Sequence, residues 1–390
     1  MLLQDKQIAI VGGGPGGLTL ARLLQQNGAA VTVYERDFSR HERVQGGTLD
    51  LHDESGLAAL RAAGLLEEFK AHYRPGAEKL RLADEHATIV YDEHAEAQTD
   101  NFGSAAFRPE IDRGPLRNIL LHSLQADTVV WNSQLAAMQP VGAGWRLTFR
   151  SGVTATADIV IGADGANSKI RPLLTPIKPF YSGVMVLEGT VHNPAQNAPR
   201  IYELLRGGKL FALAGSKTLV VSSKGDGSLT FYTGCKMAET WAHDSGINFS
   251  NAAQVLAWFR QEFVGWNSIW EELFAHEATR CVPRPQYCMP LDQTWATQPN
   301  LTLLGDAAHL MPPYAGEGVN MAMLDALELS RCLTDGRFID VQTAIAHYET
   351  QMRQRASAVA QDTLEQTEAL HSAGALDYLV GLFNSHETAR

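Results

Sequence analysis

The stretch "QIAIVGGGPGGLTLARLLQQNGAAVTVYER", residues 7–36, decides the fold. Gln7–Val11 is a short apolar run and predicts a buried strand. Gly12, Gly14 and Gly17 then form G-x-G-x-x-G. Leu18, Leu20, Ala21, Leu23 and Leu24 continue at helical spacing, and Asn27-Gly28 supplies a stop. Val31–Tyr34 predicts a second strand, which Glu35 ends. Each part has a task in holding a dinucleotide. Gly12 permits the tight turn, Gly14 lets a pyrophosphate approach the backbone, and Gly17 lets helix and strand pack closely. The helix N-terminus offers free N–H groups and a positive dipole end. Glu35 can accept from a ribose hydroxyl, which disfavours a 2′-phosphate at this site and leaves FAD and NAD. Arg36 follows, able to reach the adenosine or a phosphate, or to stay an exposed surface arginine.

Two more strand-to-loop junctions choose FAD. Asp158–Arg171 reads "DIVIGADGANSKIR", an apolar strand running into Asp164-Gly165. Leu301–Asn320 reads "LTLLGDAAHLMPPYAGEGVN", a strand running into Gly305-Asp306. An aspartate at a strand end can accept from a ribityl hydroxyl. Gly316 and Gly318 let backbone N–H groups approach a flavin ring, and a helix starting near Gly318 aims its positive end at the ring edge that becomes anionic on reduction.

The order of the three motifs resembles that of the aromatic-hydroxylase class of flavin monooxygenases. The resemblance implies an α/β chain: a Rossmann-like FAD-binding domain of the para-hydroxybenzoate-hydroxylase type, an inserted antiparallel-sheet substrate domain and a long C-terminal helix. A closer resemblance rests on "YERD", "RVQGGTLDLH", "RPEIDRGPLRNILLHSL" and "GDAAHLMPPYAGEGVN", which are similar to the tetracycline-inactivating flavin monooxygenases. It implies that Glu35 and Arg36 bind the adenosine half of FAD, that Arg43 contacts NADPH, that Asp50 contacts FAD, that Arg113 lies on a helix beside it and that Asp306 binds the ribityl chain. It carries the antibiotic-holding positions onto Glu188, Lys209, Phe211 and Thr230, where Gln, Arg, Met and His are expected, and adds Pro312. The cofactor half thus carries over more closely than the substrate half, and tetracycline enters as a hypothesis.

Between the second and third motifs the chain changes character. "SGVMVLEGTVH", "RIYELLR", "KLFALAG", "TLVVSS" and "SLTFYTGC" are short runs with β-branched or alternating content, separated by turn signals. They predict an antiparallel sheet with one face over the flavin. Phe211, Phe231, Tyr232, Met311, Pro312 and Tyr314 are candidates to position a ring. Asn251–Phe263 and Asn267–His276 predict amphipathic helices behind the sheet, with Trp258, Trp266 and Trp270 in the core. Residues 340–370 predict a long helix that bridges the domains. The expected division is an FAD-binding domain of residues 1–73, 95–174 and 281–339, a substrate domain of 74–94 and 175–280, and the C-terminal bridge of 340–390.

Composition sets the outer limits. The 390 residues are 45% apolar and 19% charged, with a formal net charge of −11. That balance repels nucleic acid. No run approaches the length of a membrane-spanning helix, and the N-terminus shows no secretory signal. The four cysteines form no CxxC and no zinc spacing, so reduced thiols and a cytoplasmic monomer are expected. With only one G-x-G-x-x-G fingerprint, a nicotinamide cofactor is expected to bind transiently near the flavin. The implied reaction is hydroxylation of an electron-rich aromatic or enol substrate, polyketide-like in one case, by NAD(P)H and dioxygen through a C4a-hydroperoxyflavin. A flavin-dependent reductase of carbon–carbon double bonds and a non-catalytic flavin-binding protein stay open as alternatives.

Overall fold

The computed structural model describes residues 2–42, 47–95, 101–104 and 107–387. Arg43 lies outside them. At its centre is a five-stranded parallel sheet with the order Leu301–Leu303, Ile159–Gly162, Gln7–Val11, Ala30–Tyr34, Val129–Val130. The first four strands are nearly continuous apolar runs, as a sheet covered on both faces requires. Ile8, Ile10, Val33, Val160, Ile161 and Leu303 are buried there. The helix Pro15–Gln26 begins with proline at its first position, where the missing N–H costs nothing. It packs against the helix Gly318–Thr334.

Gly12 has φ of +114°, and a Cβ there would come within 2.1 Å of the Ala163 carbonyl oxygen. The glycine therefore lets two strand ends lie against each other as well as turning the chain. Gly305 has φ of +59° and ψ of −146°, a conformation open essentially to glycine alone.

A seven-stranded sheet faces this unit. Its order is Cys281–Cys288, Phe180–Val191, Leu229–Lys236, Lys217–Ser223, Lys209–Ala214, Leu80–Ala83, Ile89–Asp92. Pairing is antiparallel except between Lys209–Ala214 and Leu80–Ala83. Strand parity sorts the side chains. Leu210, Ala212, Leu219, Val221 and Phe231 point into a rear core with the helix Ala252–Glu262 and with Phe274. Phe231 packs edge-on to Phe274, so the expectation that it positions a substrate ring is overturned. Trp258 and Trp270 are buried in that core, and Trp266 packs against it.

"RIYELLR" is not a strand. Pro199–Leu205 is helical, with Ile201 and Leu205 buried four positions apart. Proline starts the helix, and Arg206, in the left-handed region, ends it before Gly207-Gly208.

The long helix runs from Val341 to Leu370, capped by the Asp340 side chain, which accepts from Thr343 N–H. Tyr348 hydroxyl donates to the Leu303 carbonyl, and Arg355 pairs with Asp325 and Glu328. A further helix, Ala375–Glu387, folds back onto the seven-stranded sheet. Its Leu379 is buried with Leu80 and Leu213, and Phe383 stacks on Tyr91. Cys235, Cys281, Cys288 and Cys332 are free and buried. Among the described residues, no helix is long and apolar enough to cross a membrane.

Candidate active site

The three motifs meet because their strands are neighbours. Val11 is in register with Gly162, and Gly162 with Leu303, so three loops leave the same carboxyl edge of the parallel sheet side by side. Ligands bind at that edge in open α/β sheets. Here it opens onto a cavity of about 1740 Å³. A single small-ligand site is roughly 300–1000 Å³, so the volume suits a large cofactor and a substrate together.

One end of the cavity is built from the N-terminal unit. Gly12, Gly14 and Gly17 line it, with open space where a Cβ on Gly14 would stand. Glu35 is buried at its rim; one carboxylate oxygen accepts from Gly13 N–H at 2.6 Å and the other from Asp37 N–H at 3.0 Å. Those bonds fix the carboxylate toward the cavity. Arg36 lines the same end, with Arg117, which pairs with Asp37 at 2.9 Å and covers the Trp131 ring. Arg113 starts a helix and donates from Nε to the Gly47 carbonyl at 3.1 Å.

The middle is acidic. Asp164 lines the cavity; its Oδ2 accepts from Lys169 N–H, while Oδ1 is buried without a hydrogen-bond partner. Asp306 lies deep in the protein but opens onto the cavity. Burial pushes its carboxyl upward, opposed by the charges of His309 and Arg113. Two acids with acceptor oxygens to spare, beside a glycine lip and a free helix N-terminus, fit a ligand rich in hydroxyls and phosphates. FAD is such a ligand, and these residues fit it. Gly318 opens the third motif's helix, with open space where a Cβ on it would stand.

Beside that helix stands a charged cluster that the sequence did not announce. His52 Nε2 lies 3.2 Å from Asp50, and Nδ1 lies 3.4 Å from Glu317. Burial alone would lower the imidazole; the two carboxylates outweigh it and raise His52 to about 9. Burial likewise opposes ionisation of Asp50, but His52 and Lys209 bring it down to about 2. Asn320 ties the group together, accepting from His52 N–H and donating to the Asp50 carbonyl.

This cluster sets a pH dependence. His52 is raised from 6.5 to about 9, so its contribution to stability is full below pH 6.5 and is lost as pH rises through 9. Asp50 is depressed, so its contribution is present above pH 3.8 and lost as pH falls through about 2. Unfolding free energies from denaturant titrations at pH 6 to 10 are expected to fall across the alkaline window by at most about 3 kcal/mol. His52→Gln should flatten that decline; an unchanged slope refutes the assignment.

The third loop is held from behind. Asp325 Oδ2 accepts from Gly305 N–H at 2.9 Å and from His309 Nε2 at 2.6 Å, and Oδ1 accepts from Arg355 at 2.8 Å. Arg171, of the second motif, donates to the Ala307 and Ala308 carbonyls and so ties the second loop to the third. An acid between apolar neighbours, Leu324 and Ala326, on a helix rich in Met and Leu was the available signal for Asp325.

The roof is the cavity face of the seven-stranded sheet. Glu188, Lys209 and Phe211 line it, and Pro312 lines the loop below. Thr230 does not: it is buried within the same sheet, outside the lining. Tyr232 lines the roof and accepts from Gly47 N–H at 2.7 Å. Leu379, Leu382 and Phe383 of the last helix close one side. No sequence signal placed them there. Among the described residues, no cluster of His, Cys, Asp and Glu could hold a metal.

Comparison with known proteins agrees with this geometry. The profile of the "FAD binding domain" family matches residues 5–178 and 292–363. The chain is similar to "Monooxygenase asqM" of Emericella nidulans, 29% identical over 87% of this chain and 86% of that protein. It is also 29% identical to the 6-hydroxynicotinate 3-monooxygenase of Pseudomonas fluorescens, over 91% of this chain and 90% of that one. Among solved structures it resembles the tetracycline destructase Tet(55), with a TM-score of 0.73 and 19% identity, covering 96% of this chain and 91% of that one. With the matched profile spanning the three loops that surround the cavity, the chain belongs to the FAD-binding domain family and is an FAD-dependent monooxygenase of the para-hydroxybenzoate-hydroxylase fold.

Proposed function

We propose that the protein hydroxylates a small electron-rich aromatic or enol substrate at the expense of NAD(P)H and dioxygen, with NADPH the favoured reductant. The observation that carries this reading is one continuous cavity, lined by three cofactor-type loops on one side and by a half-apolar sheet on the other. Bound FAD supplies the redox chemistry, accepting hydride and delivering one oxygen atom of dioxygen.

The chain's own residues do the rest. Gly12, Gly14 and Gly17 admit the pyrophosphate, while Glu35 and Arg36 hold the adenosine half. Asp164 and Asp306 would accept from the hydroxyls of FAD, and Asp50 and Arg113 would lie beside it. The helix at Gly318 offers N–H donors to the negative charge that develops there. Phe211 and Pro312 bound the substrate, with Glu188 and Lys209 as its charged neighbours. Tyr314 hydroxyl lies 3.3 Å from His371 Nε2, and His371 Nδ1 lies 2.8 Å from the Thr367 carbonyl. The carbonyl can only accept, so the proton sits on Nδ1, and Nε2 takes the Tyr314 proton in a hydrogen bond. That bond pins the loop before Gly316 to the end of the long helix and helps to exclude water. The division into a cofactor unit of residues 1–73, 95–174 and 281–339, a substrate unit of 74–94 and 175–280, and a bridge of 340–390 belongs to the same proposal.

The test is NAD(P)H oxidation under air, with and without a panel of phenols and tetracyclines, followed by product masses. Ligand-stimulated oxidation and the gain of one oxygen atom are expected. Gain of two hydrogens would replace the proposal with a double-bond reductase, and absence of stimulation by any ligand would leave a flavin-binding protein.

A further inference from the structure

The strands that roof the cavity present two cations to it among the described residues, Lys209 and Arg284, and each already has an acid. Arg284 Nε donates to Glu188 at 2.9 Å, from the neighbouring strand of the same sheet. Lys209 pairs with Glu110, whose side chain is fully buried below it. Glu110 stands opposite Asp50 in register, so the ammonium faces two carboxylates. Burial alone would discharge Lys209; Glu110 and Asp50 outweigh it and keep it charged. Arg108, on the cofactor side of the same cavity, lies within electrostatic reach of Asp50 and His52. The remaining roof is uncharged: Val186, Val220 and Leu213, with Thr218, Ser222 and the Gln286 amide.

From these pairings we infer that the substrate half accepts an uncharged, hydroxyl-bearing ring system and discriminates against aryl carboxylates, with Glu188 and Glu110 as the residues that set this preference. The inference rests on the function proposed above and narrows its substrate class. The physical reason is desolvation. An aryl carboxylate entering the cavity gives up its hydration, and a buried anion needs a cation of its own in return. On the roof strands it would have to share Lys209 with Glu110 and Asp50, or displace Glu188 from Arg284. A neutral phenol or enol loses far less on entry, and its hydroxyl can pair with Thr218 or Ser222. The fixed negative charges of the roof thus act as a filter on ligand charge.

The probe is a naphthol against the matching hydroxynaphthoate, titrated by calorimetry into FAD-loaded protein, with flavin content read from visible absorbance on the same samples. The naphthol is expected to bind at least about tenfold more tightly. Glu188→Gln frees Arg284 and should raise hydroxynaphthoate affinity about tenfold; adding Arg284→Met should abolish that gain. Glu188 lines the cavity and is not part of the sheet's rear core, so the variant tests recognition. A yellow wild-type protein that binds the carboxylate as tightly as the naphthol overturns this inference alone, as does a Glu188→Gln variant with no gain. A protein that takes up no FAD overturns the proposed function and the inference with it.

Discussion

Asp306→Ala is expected to yield a folded protein that emerges from purification nearly colourless, with FAD affinity weakened by about 100-fold. The carboxylate opens onto the cavity from a position deep in the protein, and burial pushes its pKa up. His309 and Arg113 only partly offset that cost. A group held at such expense contributes when a ligand supplies hydrogen bonds to it. A hydrogen bond to a charged acceptor is worth about 1.5–3 kcal/mol, and a second from the same carboxylate brings the loss to the stated range. The apo variant should melt no lower than apo wild type, because the carboxylate is exposed to the cavity and its removal leaves no hole in a packed core. The loss is therefore read in FAD content and not in apo stability. A variant that keeps a full complement of FAD would show that the Gly305-Asp306 loop does not hold the cofactor.

Asp325→Ala should act on the fold itself. The side chain is fully buried and satisfies His309, Arg355 and Gly305 N–H together. Its removal leaves His309 and a backbone donor without their acceptor, and Arg355 with Glu328 alone. Breaking a buried ion pair from one side costs about 3–5 kcal/mol, which urea unfolding would read as a large fall in midpoint with little change in slope. FAD binding should weaken as well, since Gly305 would lose the bond that sets its turn. A loss below about 1 kcal/mol would mean that Glu328 or water takes over the pairing.

The cofactor side was legible because its signals are local. A strand, a glycine turn, a helix and an acid follow one another within residues 7–36, and the fold realises them in the same order. The second and third motifs were legible for the same reason. The substrate side depends on strand parity, which sequence does not assign. Phe231 and Tyr232 are adjacent and both aromatic, yet one is rear core and the other roof, because a shift of one residue exchanges the two faces. "RIYELLR" was ambiguous on composition, and Pro199 together with the Ile201–Leu205 spacing decides it as a helix. The cluster around His52 reaches across most of the chain to Asn320, and the one around Asp325 joins three helices, so no local window contains either. Lys209 was singled out as a ligand for substrate; the partner that changes its role, Glu110, sits some 100 residues earlier.

The order of the parallel sheet also governs how the chain assembles. Ile8 pairs on one side with Val31, close in the chain, but on the other with Ile159, and Val160 in turn pairs with Leu301, so half of the sheet waits until long loops have closed. Pairings of that separation form slowly and expose apolar edges while they wait. Under the proposed function FAD would span all three loops and bind only the finished arrangement, so it would act as a thermodynamic latch on the last step. Refolding yield should accordingly rise with flavin concentration, and cells short of riboflavin should accumulate aggregated rather than merely inactive protein.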